Sequence, residues 1–443
     1  MEEKTEPIRK IWYRQLHWQI ITAMILGIIY GFASSMLGWQ DFTREWIKPW
    51  GVIFINLLKF IAIPMILVSL ILGISSLKDL TRLSKIGGKT IGLYLITTIL
   101  AVTIGLFLAN FLKPGTSMPP EMRKKMADTY AGKLQESQDV VKQRKEAGPL
   151  KPLVDMVPDN FFKSASDNTN MLSMVFIAII LGIALVKTPA EKTDTIKQLL
   201  ENGNELILTV VNMIMKIAPL GVFAQLSTVI TDIGGKDLQG TLQLLESLGY
   251  YVLVVLLGLL IQTLGIYSGM VRLFTPVSFG KFFRSIRSMQ LIGFSTSSSA
   301  ATLPVTMESC EKNLGISEEI TGFTLPVGAT INMDGTSLYQ AISVIFIAQV
   351  FNMNLTFWDQ LTIILTTTLS SIGTAGVPGA GVVMLVIVLQ SINVPIGGIA
   401  LILGVERIID MFRTVTNITG DAAVTTLIAT TENRIEIPEG ETV

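Results

Sequence analysis

The 443-residue sequence is poor in charged residues, cysteine and histidine. Charged residues make up 15% of it, whereas soluble domains carry about 25%, so the chain has too little charge to cover a soluble surface. A single cysteine, Cys310, excludes a disulfide framework and a thiolate metal cage, and a single histidine, His17, excludes a multi-histidine metal site. The 34 basic and 34 acidic residues leave no net charge, which argues against nucleic acid as a partner.

Apolar residues make up half of the chain, and they occur in blocks. Many blocks reach the roughly 20 residues that a helix needs to cross a bilayer core about 30 Å thick. We therefore predict an all-α polytopic membrane protein. The apolar segments are 18–38, 51–77, 90–112, 170–187, 203–230, 247–270, 320–351, 361–391 and 396–430.

The polar joints between these segments predict the orientation of the chain. Lys and Arg are concentrated in 4–14, 78–89 and 272–287, which share one side of the membrane if the helices alternate. The positive-inside rule makes that side cytoplasmic. We therefore expect a cell-membrane protein with both termini in the cytoplasm. Residues 113–168 carry many charges of both signs and are predicted to form an exposed polar loop.

Two segments in the last third of the chain interrupt apolar stretches. One is the serine-rich 295–299, and the other is 373–381, which is rich in Gly and contains Pro378. Such residues break helices, and the freed backbone groups must be buried in protein or line a wet cavity. We predict two re-entrant hairpins that enter the membrane from opposite faces.

The helix that follows each predicted hairpin carries a polar interruption. The first holds Asn332 to Thr336, and the second holds Asn417 to Asp421, so both helices are predicted to be broken. A hairpin and a broken helix that occur twice with opposite orientation form an inverted repeat. Transporters use this arrangement to build a site at the bilayer midplane.

The last apolar segment has one polar face. Asp410, Arg413, Thr414, Asn417 and Asp421 follow each other in steps of three and four, so they lie on the same side of a helix. Arg413 offers a planar fork for a carboxylate, and Asp410 suits an ammonium group. Together they fit a zwitterion with an additional acid group. The alternative is a stripe of polar contacts between helices.

A cation site is predicted at the interrupted helix. Asn332 and Asp334 bracket the break, and backbone carbonyls with Asp334 or Asp421 supply the oxygen ligands that hard cations prefer. So few carboxylates favour Na⁺ over a divalent ion. Helix packing through small residues is the alternative for this motif, and for the serine-rich tip, which otherwise offers N–H groups and hydroxyls to a carboxylate.

Four motifs in the same order resemble the glutamate/aspartate transporter family, the dicarboxylate/amino acid:cation symporters. They are Ser297 to Pro304, Asn332 to Thr336, the glycine-rich 373–381 tip, and Asp410 to Asp421. The resemblance covers essentially the whole chain. It implies eight transmembrane helices plus two re-entrant hairpins, a homotrimer in the lipid bilayer, and an elevator-type transport domain that slides against a trimerising scaffold.

The resemblance also implies the division of the chain into parts. The scaffold would comprise 1–89 and 169–231, with helices 1–2 and 4–5. The transport domain would comprise helix 3 (90–112), helix 6 (240–275), hairpin 1 (278–312), broken helix 7 (317–351), hairpin 2 (355–393) and helix 8 (396–431). The polar loop 113–168 and a cytoplasmic tail, 432–443, would complete the chain.

The resemblance further implies ligand sets for an acidic amino acid and for Na⁺. Ser297, Ser299 and Asn417 would hold the α-carboxylate, Arg413 the side-chain carboxylate and Asp410 the ammonium. The pocket would also include Ser298, Met333, Thr336, Gly376, Val377, Ala380, Gly381 and Thr414. One Na⁺ would sit with Gly328, Asn332, Asn417 and Asp421; a second with carbonyls of Thr330, Ser371, Ile372 and Thr374; a third with Tyr94, Thr97, Thr98, Asn332 and Asp334.

The sequence departs from the family pattern at three positions. Members that carry acidic amino acids usually have an arginine at the position of Ser297 or of Met411, and neither is present here. Arg407, three residues before Asp410, is our hypothesis for the replacement. Gln340 stands where proton- and potassium-coupled animal members carry a glutamate, and a neutral amide cannot take up a proton at working pH.

The resulting prediction is a sodium-coupled symporter that imports L-aspartate and/or L-glutamate. A C4-dicarboxylate symporter and a proton-coupled glutamate symporter on the same fold are the alternatives, and an ion or anion channel is an alternative of another class. An enzyme is not expected. The Gly-x-Gly-Asp pattern of intramembrane aspartyl proteases is absent because Ile418 replaces its first glycine, and Leu83 replaces the leading glycine of a Walker A motif before Gly88.

Overall fold

The described part of the chain is almost entirely helical. The computed structural model describes residues 16–75, 84–129, 157–166, 171–233, 238–372, 374, 376 and 378–436. Within these ranges the only β pairing is an isolated antiparallel bridge between Ile316 and Ile435, so the all-α prediction is confirmed. The longer helices are α1 (Leu16–Leu37), α2 (Lys48–Ser75), α3 (Ser84–Leu112), α4 (Pro120–Thr129), α5 (Met171–Lys187), α6 (Ala190–Lys216), α7 (Ala218–Ile233), α8 (Leu238–Leu260), α9 (Ser268–Phe274), α10 (Phe279–Thr296), α11 (Ser299–Glu308), α12 (Glu318–Ile331), α13 (Asp334–Val350), α14 (Phe357–Ser371), α15 (Ala380–Ser391) and α16 (Ile399–Thr431).

Several helices are long and apolar enough to cross a membrane. Four continuous stretches of the described residues meet this requirement: Trp18–Leu37, Gln40–Leu72, Ile86–Ser117 and Leu242–Phe274. Large apolar side chains on their outer faces are exposed, as Trp46 and Phe107 show with about two thirds of their surface accessible. Exposure of this kind is expected where lipid surrounds the protein. The total of eight spans stays a prediction.

The segment 169–231, predicted to hold scaffold helices 4 and 5, contains three helical stretches, of which the last two together are long and apolar enough to form one bent span. After α5, helix α6 begins at Ala190, and it meets α7 at a bend of 50°. The bend lies at Ile217, and Pro219 follows at the second position of α7. Proline removes a backbone donor and clashes with the preceding turn, which explains why the helix axis changes direction here.

Part of the predicted polar loop is ordered against the core. Within 113–129, a short 3₁₀ helix, Pro114–Ser117, precedes α4. Met118 and Met122 are buried, and Pro120 occupies the first helical position, where its fixed φ angle favours a helix start. The remainder of this prediction falls mostly on residues outside the described ranges.

The two predicted hairpins are present as pairs of packed helices. In the first, α10 and α11 reverse direction at Ser297, whose φ of 52° is left-handed. In the second, α14 and α15 pack together, and Gly379, with a φ of 80°, leads into α15. A left-handed residue reverses the chain within one or two positions, and glycine adopts this conformation without steric cost.

Only one of the two helices predicted to be broken is broken. The helix after the first hairpin ends at Ile331 and resumes at Asp334, whereas α16 is continuous from Ile399 to Thr431, so the second prediction was wrong. Helix α16 contains no proline, and Asn417 and Asp421 of the supposed break bond to α13 and to the C-cap of α12, while its threonines donate to carbonyls one turn back without interrupting the helix. Gly420 permits the Tyr267 ring to approach the backbone of α16 closely, because a Cβ at this position would lie 2.5 Å from Cζ of Tyr267.

Helix α16 is buried along most of its length and connects many of the other helices. Helix α16 contacts α10, α12, α13 and α7, and α13 packs along α3. Helix α1 packs on α7, and α2 packs on α5, α6 and α7. Helices α8 and α9 are joined by a π-helical turn, Ile261–Tyr267, which lies next to α16.

Candidate functional site

The tips of the two hairpins touch each other. The Ser298 hydroxyl donates a hydrogen bond of 2.5 Å to the Gly376 carbonyl, and the Ala300 backbone N–H donates to the same oxygen at 3.2 Å. Ser298 also caps α11, since its hydroxyl accepts from the Ala301 N–H at 3.1 Å. The first turn of α11 therefore lies directly against the second hairpin. The adjacent residues Ser297 and Ser299 line the cavity described below.

The break between α12 and α13 is held open by polar side chains from neighbouring elements. The Ser371 hydroxyl donates to the Ile331 carbonyl at 2.8 Å and accepts from the Met333 N–H at 3.3 Å. The Asn417 side-chain oxygen accepts from the Gly335 N–H at 2.8 Å. These bonds satisfy backbone groups that an uninterrupted helix would have paired internally, as buried irregular backbone requires.

The hairpin tips, the break and α16 enclose one cavity. All of the predicted substrate ligands except Ser298 and Val377 line it, and Thr374 lines it as well. Ser298 joins the two hairpins, and Val377 lies outside the described residues. The lining residues are Ser297, Ser299, Met333, Thr336, Thr374, Gly376, Ala380, Gly381, Asp410, Arg413, Thr414 and Asn417. The structure brings these residues together, and their role as substrate ligands stays a prediction.

Four charged side chains of α16 form a buried cluster, of which Asp410 and Arg413 line this cavity while Glu406 and Arg407 line a neighbouring one. Arg413 pairs with Asp410 and lies 3.3 Å from Oε1 of Glu406. Arg407 Nη1 lies 3.2 Å from Oδ2 of Asp410. The guanidinium carbon of Arg413 sits 4.8 Å from the centre of the Tyr339 ring, a distance at which cation–π attraction applies. The cluster contains two positive and two negative groups, so it is neutral as a whole.

Arg413 keeps one free donor in this arrangement. Its Nη1 is buried and has no hydrogen-bond partner within the described residues, as is also true of the Ser297 hydroxyl. Buried donors are nearly always satisfied, so each such group indicates a missing partner. Both groups border the same cavity, where a carboxylate would satisfy them.

The Asp334 carboxylate is surrounded by three donors. Thr98 donates to Oδ1 at 2.5 Å, while Tyr267 and Gln262 donate to Oδ2 at 2.7 Å and 3.2 Å. Thr97 and Thr98 also donate to the Tyr94 carbonyl, at 3.1 Å and 2.8 Å. Of the third predicted Na⁺ set, the structure therefore brings Tyr94, Thr97, Thr98 and Asp334 together.

The Asp421 carboxylate lies on the other side of the break. Asn332 donates to its Oδ1 at 2.8 Å, and the Asn332 side-chain oxygen is buried without a hydrogen-bond partner. A Cβ on Gly328 would lie 2.5 Å from the Tyr94 hydroxyl and 2.6 Å from Oδ1 of Asp421. Glycine is thus required here because three elements meet. Asn417 is one turn away and is turned toward the backbone N–H of Gly335.

The second predicted Na⁺ set consists of backbone carbonyls, and it stays a prediction. Ser371, Ile372 and Thr374 follow one another at the end of α14, where the Thr374 N–H donates to the Ser371 carbonyl at 3.2 Å. Thr330 has an exposed side chain, and its hydroxyl bonds within α12, to the Val327 carbonyl at 2.9 Å.

Three residues of this site are missing from the sequence-based prediction: Glu406, Gln262 and Tyr267. Glu406 stands four residues before Asp410, so the helical spacing that identified the polar face extends back to it. Gln262 and Tyr267 are five residues apart on a π-helical turn, which no spacing rule for α-helices predicts.

Comparison with known proteins agrees with the geometry. The family described as "Sodium:dicarboxylate symporter family" matches residues 16–431. The chain is 32% identical to the "Proton/glutamate-aspartate symporter" of Escherichia coli (strain K12), with 95% of this chain and 94% of that protein covered. It is 32% identical to the "Proton/sodium-glutamate symport protein" of Geobacillus stearothermophilus, with 96% of each chain covered. It is 31% identical to the "C4-dicarboxylate transport protein" of Xanthomonas campestris pv. campestris (strain B100), with 96% and 90% covered.

The match runs from the start of α1 to the end of α16 and includes every element that borders the cavity. Each of these relatives is named as a transport protein. On this evidence the chain belongs to the sodium:dicarboxylate symporter family.

Proposed function

We propose that this protein is a sodium-coupled symporter that imports L-aspartate and/or L-glutamate. The observation that carries the proposal is the single cavity in which Arg413, Asp410 and the serine-rich tip converge. Arg413 and Ser297 each present a buried group without a partner, and Asp410 is the acid that would meet an ammonium group. An acidic amino acid supplies two carboxylates and one ammonium, which matches these three positions.

Two buried acids beyond the cavity support coupling to Na⁺. Asp334 and Asp421 are each less than 4% exposed, and neither has a basic side chain among its described hydrogen-bond partners. A buried carboxylate is costly unless a cation compensates its charge. The unpartnered Asn332 oxygen beside Asp421 supports a cation at that position, because an amide oxygen is a suitable ligand for Na⁺.

An elevator mechanism is the transport cycle that fits this arrangement. The cavity is lined by the hairpins, α13 and α16, whereas α1, α2, α5, α6 and α7 contribute none of its residues. We assign the first group to the moving domain and the second to the scaffold, in the homotrimer that the resemblance implies. Substrate and Na⁺ partly neutralise each other when bound together, so the loaded domain crosses while a half-loaded domain is retarded.

Uptake into proteoliposomes tests the proposal directly. We expect radiolabelled L-aspartate or L-glutamate to accumulate under an inward Na⁺ gradient and not under a matched H⁺ gradient, with protein-free liposomes as the control. Uptake driven by protons alone would contradict the sodium roles of Asp334 and Asp421. If neither amino acid is taken up but succinate is, the C4-dicarboxylate alternative replaces the proposal.

A glycine beside Arg413 gives a second test of the pocket. A Cβ on Gly381 would lie 2.6 Å from Cζ and 2.7 Å from Nη2 of Arg413, so alanine must displace the guanidinium. Overpacking of this kind costs about 1–3 kcal/mol, and we expect KM for L-aspartate to rise by about tenfold in Gly381→Ala. Gly280→Ala is the matched control, since a Cβ there meets open space. Equal KM values in the two variants would remove Arg413 from the pocket.

A further inference from the structure

Arg407 belongs to none of the predicted ligand sets, yet it is part of the charge cluster on α16. We propose that Arg407 determines how strongly the transporter discriminates between substrates with and without an ammonium group. The inference rests on the proposed function, because Asp410 lines the proposed substrate cavity, whereas Arg407 lines a neighbouring cavity and reaches the substrate only through Asp410. It assigns to Arg407 the role of a positioning residue that acts through Asp410.

The contacts of Asp410 show how this works. One carboxylate oxygen pairs with Arg413, and the other lies 3.2 Å from Nη1 of Arg407 and accepts from the Gly379 N–H at 3.3 Å. Asp410, Arg407 and Arg413 are all at least 95% buried. The negative charge of Asp410 is therefore shared between two guanidinium groups before any substrate is bound.

Sharing this charge weakens the attraction of Asp410 for an ammonium group and also its repulsion of a carboxylate. An unshared carboxylate would strongly attract the ammonium group of aspartate and would repel a substrate that carries carboxylates alone. Both effects are large in a buried site because little solvent screens them. With Arg407 in place, the attraction is smaller and a dicarboxylate without an ammonium group is repelled less.

Glu406 provides an internal comparison. It lies 3.3 Å from Arg413 and competes for the guanidinium that would hold the distal carboxylate. Aspartate and succinate both have that carboxylate, so Glu406 affects them alike. Arg407 acts on the one position at which they differ, since succinate is aspartate without its amino group.

The experiment measures Kd for L-aspartate and for succinate on the purified, full-length protein, and KM for both in proteoliposomes. In Arg407→Gln we expect the ratio of the succinate constant to the aspartate constant to rise by about tenfold, the size of effect typical of a hydrogen bond to a charged group. Arg407→Lys retains the charge and should restore a ratio near the wild-type value. Glu406→Gln should change both constants in the same direction and leave their ratio unchanged.

The double variant Glu406→Gln/Arg407→Gln removes the contact between Arg407 and Asp410 but leaves the cluster neutral. It therefore distinguishes the effect of that contact from the effect of the net charge of the cluster. The increased ratio should persist in it if Arg407 acts through Asp410. A ratio that returns to the wild-type value, or one that is unchanged in Arg407→Gln, would overturn the inference. Binding still reports the ratio in a variant that no longer transports. Failure of the proposed function is recognised separately, as a wild-type protein that neither binds nor transports L-aspartate or L-glutamate.

Discussion

We expect the Arg413→Cys variant to lose L-aspartate uptake by at least about a hundredfold. Removal of one member of a buried ion pair costs about 3–5 kcal/mol, because the remaining charges stay buried without compensation. Here Glu406 would lose the guanidinium that it pairs with, and Asp410 would keep only its contact with Arg407. The substrate would also lose the planar fork that suits its side-chain carboxylate.

The same variant should admit neutral amino acids such as L-serine, because the end of the pocket would no longer require a carboxylate. Uptake of radiolabelled aspartate and serine is compared in proteoliposomes that contain equal amounts of monodisperse protein. Arg434→Cys is the control, since Arg434 is largely exposed and lies 3.6 Å from Glu319 at the surface. Aspartate affinity that is unchanged in Arg413→Cys would exclude the assigned role.

For Asp421→Asn we expect the Na⁺ concentration that gives half-maximal aspartate uptake to rise by about tenfold or more. The amide keeps the size of the side chain and removes its charge, and interactions with a charged group contribute about 1.5–3 kcal/mol. Asn332, which donates to Asp421 at 2.8 Å, retains an acceptor in the variant. The substitution is therefore aimed at the cation and spares the local hydrogen bond.

The measurement is initial uptake rate against Na⁺ concentration at saturating aspartate. Asp159→Asn serves as the control, because Asp159 is exposed and its carboxylate pairs with Lys163 at the surface at 3.0 Å. A sodium curve in Asp421→Asn that coincides with the wild-type curve would remove Asp421 from the ion site.

The polar face of α16 was predictable because helical spacing is fixed by backbone geometry. Asp410, Arg413 and Asn417 had to share a side whatever surrounded them. The continuity of the helix was harder to predict. The same Asn-x-x-Gly-Asp residues that suggested a break bond to neighbouring elements, and only the tertiary contacts of Asn417 and Asp421 show that the backbone is left intact.

The break at Asn332 was predictable, because here the polar residues do interrupt the helix, between Ile331 and Asp334. The contacts that stabilise the break were not predictable. The serine that satisfies its freed backbone groups, Ser371, lies about 40 residues further along the chain, in the second hairpin. The three donors to Asp334 come from α3 and from the π-helical turn, so they are likewise far from Asp334 in sequence. Contacts between distant segments depend on packing, which a pattern in one segment does not reveal.

The π-helical turn between α8 and α9 has a consequence for the length of this part of the chain. Gln262 and Tyr267 are five residues apart, which would place them about 140° apart around an α-helix, yet both donate to the same oxygen of Asp334. The wider turn accommodates one additional residue and so aligns the two side chains. Deletion of a single residue between them would leave the two donors four residues apart, about 40° apart on a regular α-helix, so the π-helical turn would become an α-helical one with α8 and α9 still in register. The additional residue of this span is therefore absorbed in the turn beside Asp334, and it does not change which sides of α8 and α9 face their neighbours.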